Sequence, residues 1–297
     1  MSTNDQALLK VENAIIMAAG LSSRFAPISY EYPKSLVKVK GQVLIERQIR
    51  QLQEAGIDDI TIVVGFKKEL FQYLVEEFQV TVIENPDYAT RNNHSTLYAV
   101  REKLSNTYIC SADNYFTQNV FEPYVANAYY SSVYEEGETG EWCIETDATG
   151  LITDLKIGGK NSWVMLGHVF FSSSFSNKFV AILEAVYDKP ETPPLLWESI
   201  YLNHINELPL YSRHYSKEII FEFDTLDELR TFDSDYIDST GSKILEAISK
   251  QVNCKESEIL KITPIKEKDA TTGFKCLIKN ETYSYLYETK KLKKDKE

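Results

Sequence analysis

One stretch constrains this chain more than any other: Ala14-Ile15-Ile16-Met17-Ala18-Ala19-Gly20-Leu21-Ser22-Ser23-Arg24-Phe25, a short apolar strand running straight into a small-residue loop that carries an arginine. Nine residues beyond Arg24 comes Pro33-Lys34-Ser35-Leu36. A glycine-containing loop at a strand's carboxyl end lets backbone N–H groups approach phosphate oxygens, and nearby cations offset the charge that phosphoryl chemistry spreads over them. The pattern predicts nucleotide binding by Ala18, Ala19, Gly20, Leu21 and Ser22, with Arg24 and Lys34 as catalytic cations. The dinucleotide fingerprint needs three spaced glycines and the NTPase phosphate loop ends in Gly-Lys-Ser/Thr, so the lone Gly20 fits neither. The plain alternative is a buried first strand and an ordinary turn with solvated basic residues.

Downstream, Leu44, Ile45, Gln48, Ile49, Leu52 and Ala55 recur at helical spacing before Gly56, and the apolar run Ile60 to Val64 follows. Gly65 is expected to open a helix burying Leu70, Leu74 and Phe78, ahead of strands at Val80 to Ile83 and Tyr108 to Cys110. This alternation implies a parallel sheet, and ligands of such sheets bind beyond the strands' carboxyl ends. From about Ser131 the pattern changes to short aromatic-rich strands at Ser132 to Tyr134, Trp142 to Thr146, Leu151 to Ile157 and Val164 to Phe171, then a helix near Asn177 to Tyr187. The expected organisation is a flexible extension at 1-12, a catalytic domain at 13-237 and a small α+β appendage at 238-297.

Asp113 follows a buried strand, and Asp224 ends the segment Ile219-Ile220-Phe221-Glu222-Phe223. Mg²⁺ takes a few carboxylates plus phosphate oxygens and water, so these two are its candidate ligands, with Asp113 also facing nucleotide. A strand-end cap is the simpler role for either. Asn85-Pro86-Asp87-Tyr88 and Asn92-Asn93-His94-Ser95-Thr96 form a polar loop running into a helix start, where Asn85, Asn92 and Thr96 could read a base edge; simple helix capping by Asn93 or Ser95 is the plain alternative. For the acceptor, Glu141-Trp142, Trp197-Glu198 and Phe221-Glu222 each set an aromatic beside a carboxylate, as recognition of a quaternary ammonium requires. Most aromatics in a chain that is 12% aromatic are simply core.

With 32 basic against 44 acidic residues the net charge is −12, which argues against a general nucleic-acid or anionic-membrane surface and makes any phosphate site a local basic pocket. The run Lys290, Lys291, Lys293 and Lys294 reads as a solvated tail. No apolar run is long enough to span a bilayer and the first twelve residues do not resemble a signal peptide, so a cytoplasmic protein is expected. Its cysteines and histidines lack ligand spacing, leaving oxygen ligands for any metal. Nothing in the sequence sets an oligomeric state.

The order small-small-Gly-x-Ser-x-Arg, then Pro-Lys, resembles the signature of nucleotidyltransferases that activate sugars or alcohol phosphates. With AAGLSSR, PKSLV, LIERQI, DYATRNN, SADNYF, SVYEE, GEW, Leu196-Trp197-Glu198 and Phe221-Glu222-Phe223-Asp224, residues 14 to 235 resemble the bacterial choline-phosphate cytidylyltransferases of the LicC type. The resemblance implies a Rossmann-like α/β nucleotidyltransferase fold with a mostly parallel mixed sheet. It also implies CTP and phosphocholine as substrates, CDP-choline and pyrophosphate as products, Mg²⁺ held by Asp113 and Asp224, and an aromatic choline pocket involving Trp142. Phe221 stands where a tyrosine is expected and Asn161 to Ser174 matches poorly, and both departures bear on the acceptor. The rivals are a cytidylyltransferase for phosphoethanolamine or 2-aminoethylphosphonate, a sugar-1-phosphate nucleotidyltransferase, and a non-catalytic nucleotide-binding regulator. Intact Arg24, Lys34, Asp113 and Asp224 speak against the last. The tail from Ile244 to Tyr287 resembles the opening of a choline kinase β-lobe, with a degenerate loop at Lys266 to Thr272 and no kinase catalytic aspartate, which implies a remnant without kinase activity.

Overall fold

A computed structural model describes residues 7–267 and 270–295. Its contacts form two compact units, one containing the chain up to Gly20 together with Leu44–Glu222, the other Leu21–Val43 together with the chain from Phe223 onward. The division therefore differs from a boundary at 237: the loop with Arg24 and Lys34 finds its partners in the C-terminal segment. Those partnerships are long-range, so local sequence pattern does not reveal them.

The first unit is built on a seven-stranded sheet, in spatial order Tyr211–Tyr215, Tyr129–Thr146, Ile152–Phe171, Thr107–Ser111, Asn13–Ala18, Ile60–Val64 and Thr81–Glu84. Four of the six neighbouring pairs are parallel, including all three among the last four strands. Runs such as Ile60–Val64, buried at every residue, suit a sheet covered on both faces. The helix Leu44–Glu54 buries Leu44, Ile45, Ile49 and Leu52 as its spacing predicts, and Gly56 ends it at φ +78°.

Several expectations are corrected. The four short aromatic strands are two long ones, Tyr129–Thr146 and Ile152–Phe171, paired antiparallel, and the register shifts near Gly137 are bulges rather than chain breaks. In place of one helix after Gly65 there is a turn of tighter helix, Lys68–Phe71, then Tyr73–Phe78; Phe71 is buried where Leu70 was expected. Of the extension expected at 1-12, residues 1–6 lie outside the described residues. Leu9–Lys10 is a strand paired with Tyr124–Val125, and Val11 is buried.

In the second unit, the helix Lys243–Val252 is capped by the Ser242 hydroxyl, which accepts from the Leu245 N–H. Ile259–Glu267, Ala270–Ile278, Glu281–Leu286 and Lys291–Lys294 then form an antiparallel four-stranded sheet. Lys279 and Asn280, both at positive φ, make the two-residue turn between its middle strands. Lys291–Lys294 of the lysine run is thus one edge strand of this sheet, not a tail. Leu292 is buried while the lysines around it are exposed, and charged side chains on an edge oppose pairing with another chain. Residues 268 and 269, within the expected degenerate kinase loop, lie outside the described residues.

Candidate active site

In the first unit, four parallel strands deliver their loops to one edge of the sheet: Ala18-Ala19-Gly20, Gly65, Asn85 and Ser111-Ala112-Asp113. Gly65 fixes how closely two of these approach. A Cβ there would lie 2.5 Å from Cγ of Tyr88 and 2.9 Å from the Ala19 carbonyl oxygen, so only glycine lets the DYATRNN loop close over the end of the first strand. Ala18 and Ala19 are buried, and Gly20 stands open with nothing crowding its missing side chain.

Asn85 is buried, its amide donating to Ser95 Oγ at 2.8 Å and Thr96 Oγ1 at 3.2 Å while its oxygen accepts from the Asp87 N–H at 2.9 Å. These bonds brace the loop and leave no free N–H on Asn85 to read a base. The Asn92 amide donates to the Pro194 carbonyl, and its backbone N–H to that of Pro193. Asn93 accepts from the Trp197 N–H at 2.7 Å and donates to Glu198 at 3.2 Å. The loop is in this way clasped to the start of the helix Trp197–Asn203.

That helix carries the most perturbed carboxylate of the unit. Glu198 is buried, and loss of solvent pushes its pKa up to about 7, against the opposing pull of its own backbone N–H, Asn93 and the Tyr130 hydroxyl, 3.4 Å away. The Tyr130 ring stacks on Trp197 with centroids 5.7 Å apart and planes within 9°. Burial raises the Tyr130 phenol pKa well above its ordinary range, and the charges of Glu198, Glu222 and Asp113 raise it further. Three carboxyl groups therefore act electrostatically on one aromatic hydroxyl. Glu222 accepts from the Asn114 amide at 3.3 Å, where Ile220–Glu222 pairs with Asn114–Phe116 and Phe221 lies opposite Tyr115. Trp142 is half-buried, packed against the core cluster that contains Tyr130 and Trp197, while Glu141 is exposed.

Asp113 sits in a turn held from behind by a glutamine. Gln48, on the inner face of the Leu44–Glu54 helix, donates 2.8 Å bonds to the carbonyls of both Ser111 and Asn114. Arg47 and Gln51 of the same helix donate to the Phe116 carbonyl.

In the second unit, Ser22 adopts the left-handed conformation at φ 47° and opens the tight turn Ser23–Phe25, with Leu21 exposed. Arg24 is exposed and reaches Asp224 Oδ2 at 2.8 Å; Lys34 is buried, its ammonium 3.6 Å from Asp224 Oδ1 and 5.8 Å from the Phe25 ring centroid. The two cations and the second carboxylate picked from sequence are thus one ion-paired cluster. Sequence pattern does not single out Tyr130 or Gln48 as functional residues, and it marks Glu198 only as the neighbour of Trp197, whereas the structure sets Tyr130 against Glu198 and Gln48 behind the Asp113 turn. The signal for Gln48 was present: a glutamine at a core-facing helical position.

Residues 14–216 match the family of MobA-like NTP transferase domains. A choline-phosphate cytidylyltransferase of Streptococcus pneumoniae is 36% identical over 217 residues, covering 73% of this chain and 95% of the relative. A 2-aminoethylphosphonate cytidylyltransferase of Lancefieldella rimae is 35% identical over 229 residues, covering 76% and 93%. The solved structure of the S. pneumoniae CTP:phosphocholine cytidylyltransferase LicC superposes with a TM-score of 0.73 at 35% identity, over 76% of this chain and 99% of that one. These similarities lend no support to a kinase origin for the C-terminal sheet.

Proposed function

We propose, from the premise that the chain belongs to the MobA-like NTP transferase family and is a nucleotidyltransferase, that it joins CTP and phosphocholine to give CDP-choline and pyrophosphate. The observation that carries the choice of acceptor is the set of buried Tyr130, Trp197 and Glu198 with half-buried Glu222 acting on the Tyr130 hydroxyl. A diffuse cation such as trimethylammonium is held by aromatic faces and carboxylates, whereas a sugar would need many more directional hydrogen bonds. Trp142, Glu141 and Phe221 belong to the same acceptor reading.

An oxygen of the acceptor phosphate attacks the α-phosphorus in line. The new P–O bond forms as the bond to the α,β-bridging oxygen breaks, and pyrophosphate leaves with that electron pair. No protein nucleophile is required. The chain supplies positioning and cations: Arg24 for the polyphosphate, Lys34 for the α-phosphate or the acceptor phosphate, and the Ala18 to Ser22 loop for phosphate contacts through its backbone N–H groups. Asp113 and Asp224 are the proposed carboxylates for Mg²⁺. Asp224 is already paired with two cations, Arg24 and Lys34, and a hard ion that draws most of its oxygens from phosphate and water needs few protein carboxylates. When bound, Mg²⁺ neutralises charge on the triphosphate and the departing pyrophosphate. A cytoplasmic setting belongs to the same reading; among the described residues, no helix is long and apolar enough to cross a membrane.

A second acceptor, 2-aminoethylphosphonate, is favoured by the Lancefieldella relative and by carboxylates able to accept from a primary ammonium. Pyrophosphate release with Mg²⁺ and CTP separates the two when phosphocholine, phosphoethanolamine, 2-aminoethylphosphonate and glucose-1-phosphate compete, with ATP, UTP and GTP as controls. Turnover confined to CTP and phosphocholine is expected. Preference for a primary amine would keep the chemistry and replace the acceptor, and tight CTP binding without turnover on any pair would leave a regulator.

A further inference from the structure

The loop Leu21–Val43, which carries Arg24 and Lys34, packs within one unit with the C-terminal segment. The turn Ser23–Phe25 touches the strand Ile259–Glu267. Between Arg24 and Lys34 lies the short helix Ile28–Glu31, and its last two residues are both committed to the C-terminal segment. The Tyr30 ring lies flat on Tyr287, with centroids 3.7 Å apart and planes within 6°. The Glu31 carboxylate accepts from the Lys243 N–H at 3.0 Å and from the Ser242 hydroxyl, so it completes the N-terminus of the helix Lys243–Val252. Beyond Lys34, the Lys40 N–H donates to buried Asp233 at 2.6 Å, and the Tyr236 hydroxyl donates to the Lys38 carbonyl at 2.7 Å.

We infer that the C-terminal segment is a working part of the nucleotide site: Tyr287 and the Glu31-capped helix fix the Leu21–Val43 loop, through Tyr30 and Glu31, so that Arg24 and Lys34 are pre-positioned for the triphosphate. This rests on the catalytic reading of Arg24 and Lys34 given above. A loop of this length held only at its ends would sample many conformations, and each misplacement of a charge-stabilising group costs rate. Anchors midway between the two cations remove that freedom where it matters. Tyr30, Glu31 and Tyr287 are positioning residues, since none of them is assigned a contact with substrate. The Tyr287 hydroxyl is buried without a hydrogen-bond partner, so the ring face, not the hydroxyl, is what holds Tyr30.

The test is steady-state pyrophosphate release by the full chain carrying Tyr287→Ala, Tyr287→Phe, Tyr30→Ala or Glu31→Gln, at a temperature where melting curves show each variant folded. Tyr287→Ala, Tyr30→Ala and Glu31→Gln are expected to lower kcat/KM for CTP at least tenfold while the KM for phosphocholine stays within twofold of wild type. Tyr287→Phe should restore the wild-type value. Wild-type kcat/KM for CTP in a folded Tyr287→Ala or Tyr30→Ala variant overturns the inference, as does a loss that phenylalanine fails to rescue. Should Tyr287→Ala not fold, substitutions of exposed Tyr30 and half-buried Glu31 still decide the matter. Lys34→Ala, run alongside, separates the two readings: full turnover there would overturn the catalytic role of the cation itself, whatever the anchors do.

Discussion

Replacing Glu198 with glutamine gives the sharpest reading of the acceptor pocket. Burial raises its carboxyl from an ordinary 4.5 to about 7, so the folded protein holds a proton there that the unfolded chain releases. A group whose pKa is raised by folding favours the folded state below its unfolded pKa, and that advantage is lost as pH climbs through the folded value. Each pKa unit corresponds to about 1.4 kcal/mol, so the interval from pH 5.5 to about 7 removes roughly 2 kcal/mol from the wild type. Glutamine keeps the shape and hydrogen-bonding capacity of the protonated acid and does not titrate. The melting-temperature difference between wild type and Glu198→Gln should therefore shift in the variant's favour by roughly 4 °C between pH 5.5 and 8.5, at about 2 °C per kcal/mol for a chain of this size. Activity should move the other way. Wild-type kcat/KM for phosphocholine rises through about pH 7 as the carboxylate ionises to meet the acceptor cation, whereas the variant is flat and lower by on the order of 2 kcal/mol, roughly thirtyfold. A melting difference independent of pH would show that Glu198 is not a buried acid, and an unchanged acceptor KM would remove it from the pocket.

Lys34→Ala and Asp113→Ala should each lower kcat by about a hundredfold or more with circular dichroism unchanged, and near-wild-type turnover would withdraw that residue from the chemistry. Gly65→Ala should raise the KM for CTP at least several-fold and cost about 1–3 kcal/mol of stability, because the new methyl displaces Tyr88 from the end of the first strand; urea unfolding and CTP saturation curves read the two effects. Gln48→Leu leaves the Ser111 and Asn114 carbonyls without their shared donor, for a loss of about 2 kcal/mol, and should lower kcat more than it raises either KM if the turn that carries Asp113 is what it positions.

Much of the sheet is legible in the sequence because its signals are local. The apolar runs Ala14 to Ala18 and Ile60 to Val64, the helical spacing from Leu44 to Leu52 and the stop at Gly56 each report on their own neighbours. The long hairpin has the sequence pattern of separate short strands because Gly137 and the polar residues around it look like a break, whereas a bulge accommodates them without ending the pairing. The lysine run misled for a related reason. Exposed lysines flanking a single buried Leu292 have the composition of a tail, and only pairing with Glu281–Leu286 makes them a strand.

The candidate site divides along the same line between local and distant causes. Gly20, Arg24 and Lys34 stand out as candidates because they fall within one short stretch of sequence, but Asp224 lies 190 residues beyond Lys34 and its pairing with both cations follows only from the fold. That pairing has a consequence for binding. Lys34 is buried, and an ammonium taken out of water without a counter-ion would be costly, so Asp224 is the carboxylate that offsets its charge. On the proposed roles, Asp224 would exchange these organic cations for the divalent ion, and Arg24 and Lys34 would exchange its carboxylate for phosphate. On that reading Asp224→Asn should raise both the Mg²⁺ concentration needed for half-maximal pyrophosphate release and the KM for CTP, because Arg24 and Lys34 lose the carboxylate that holds them; an unchanged KM for CTP would show that the ion pairs do not position the cations.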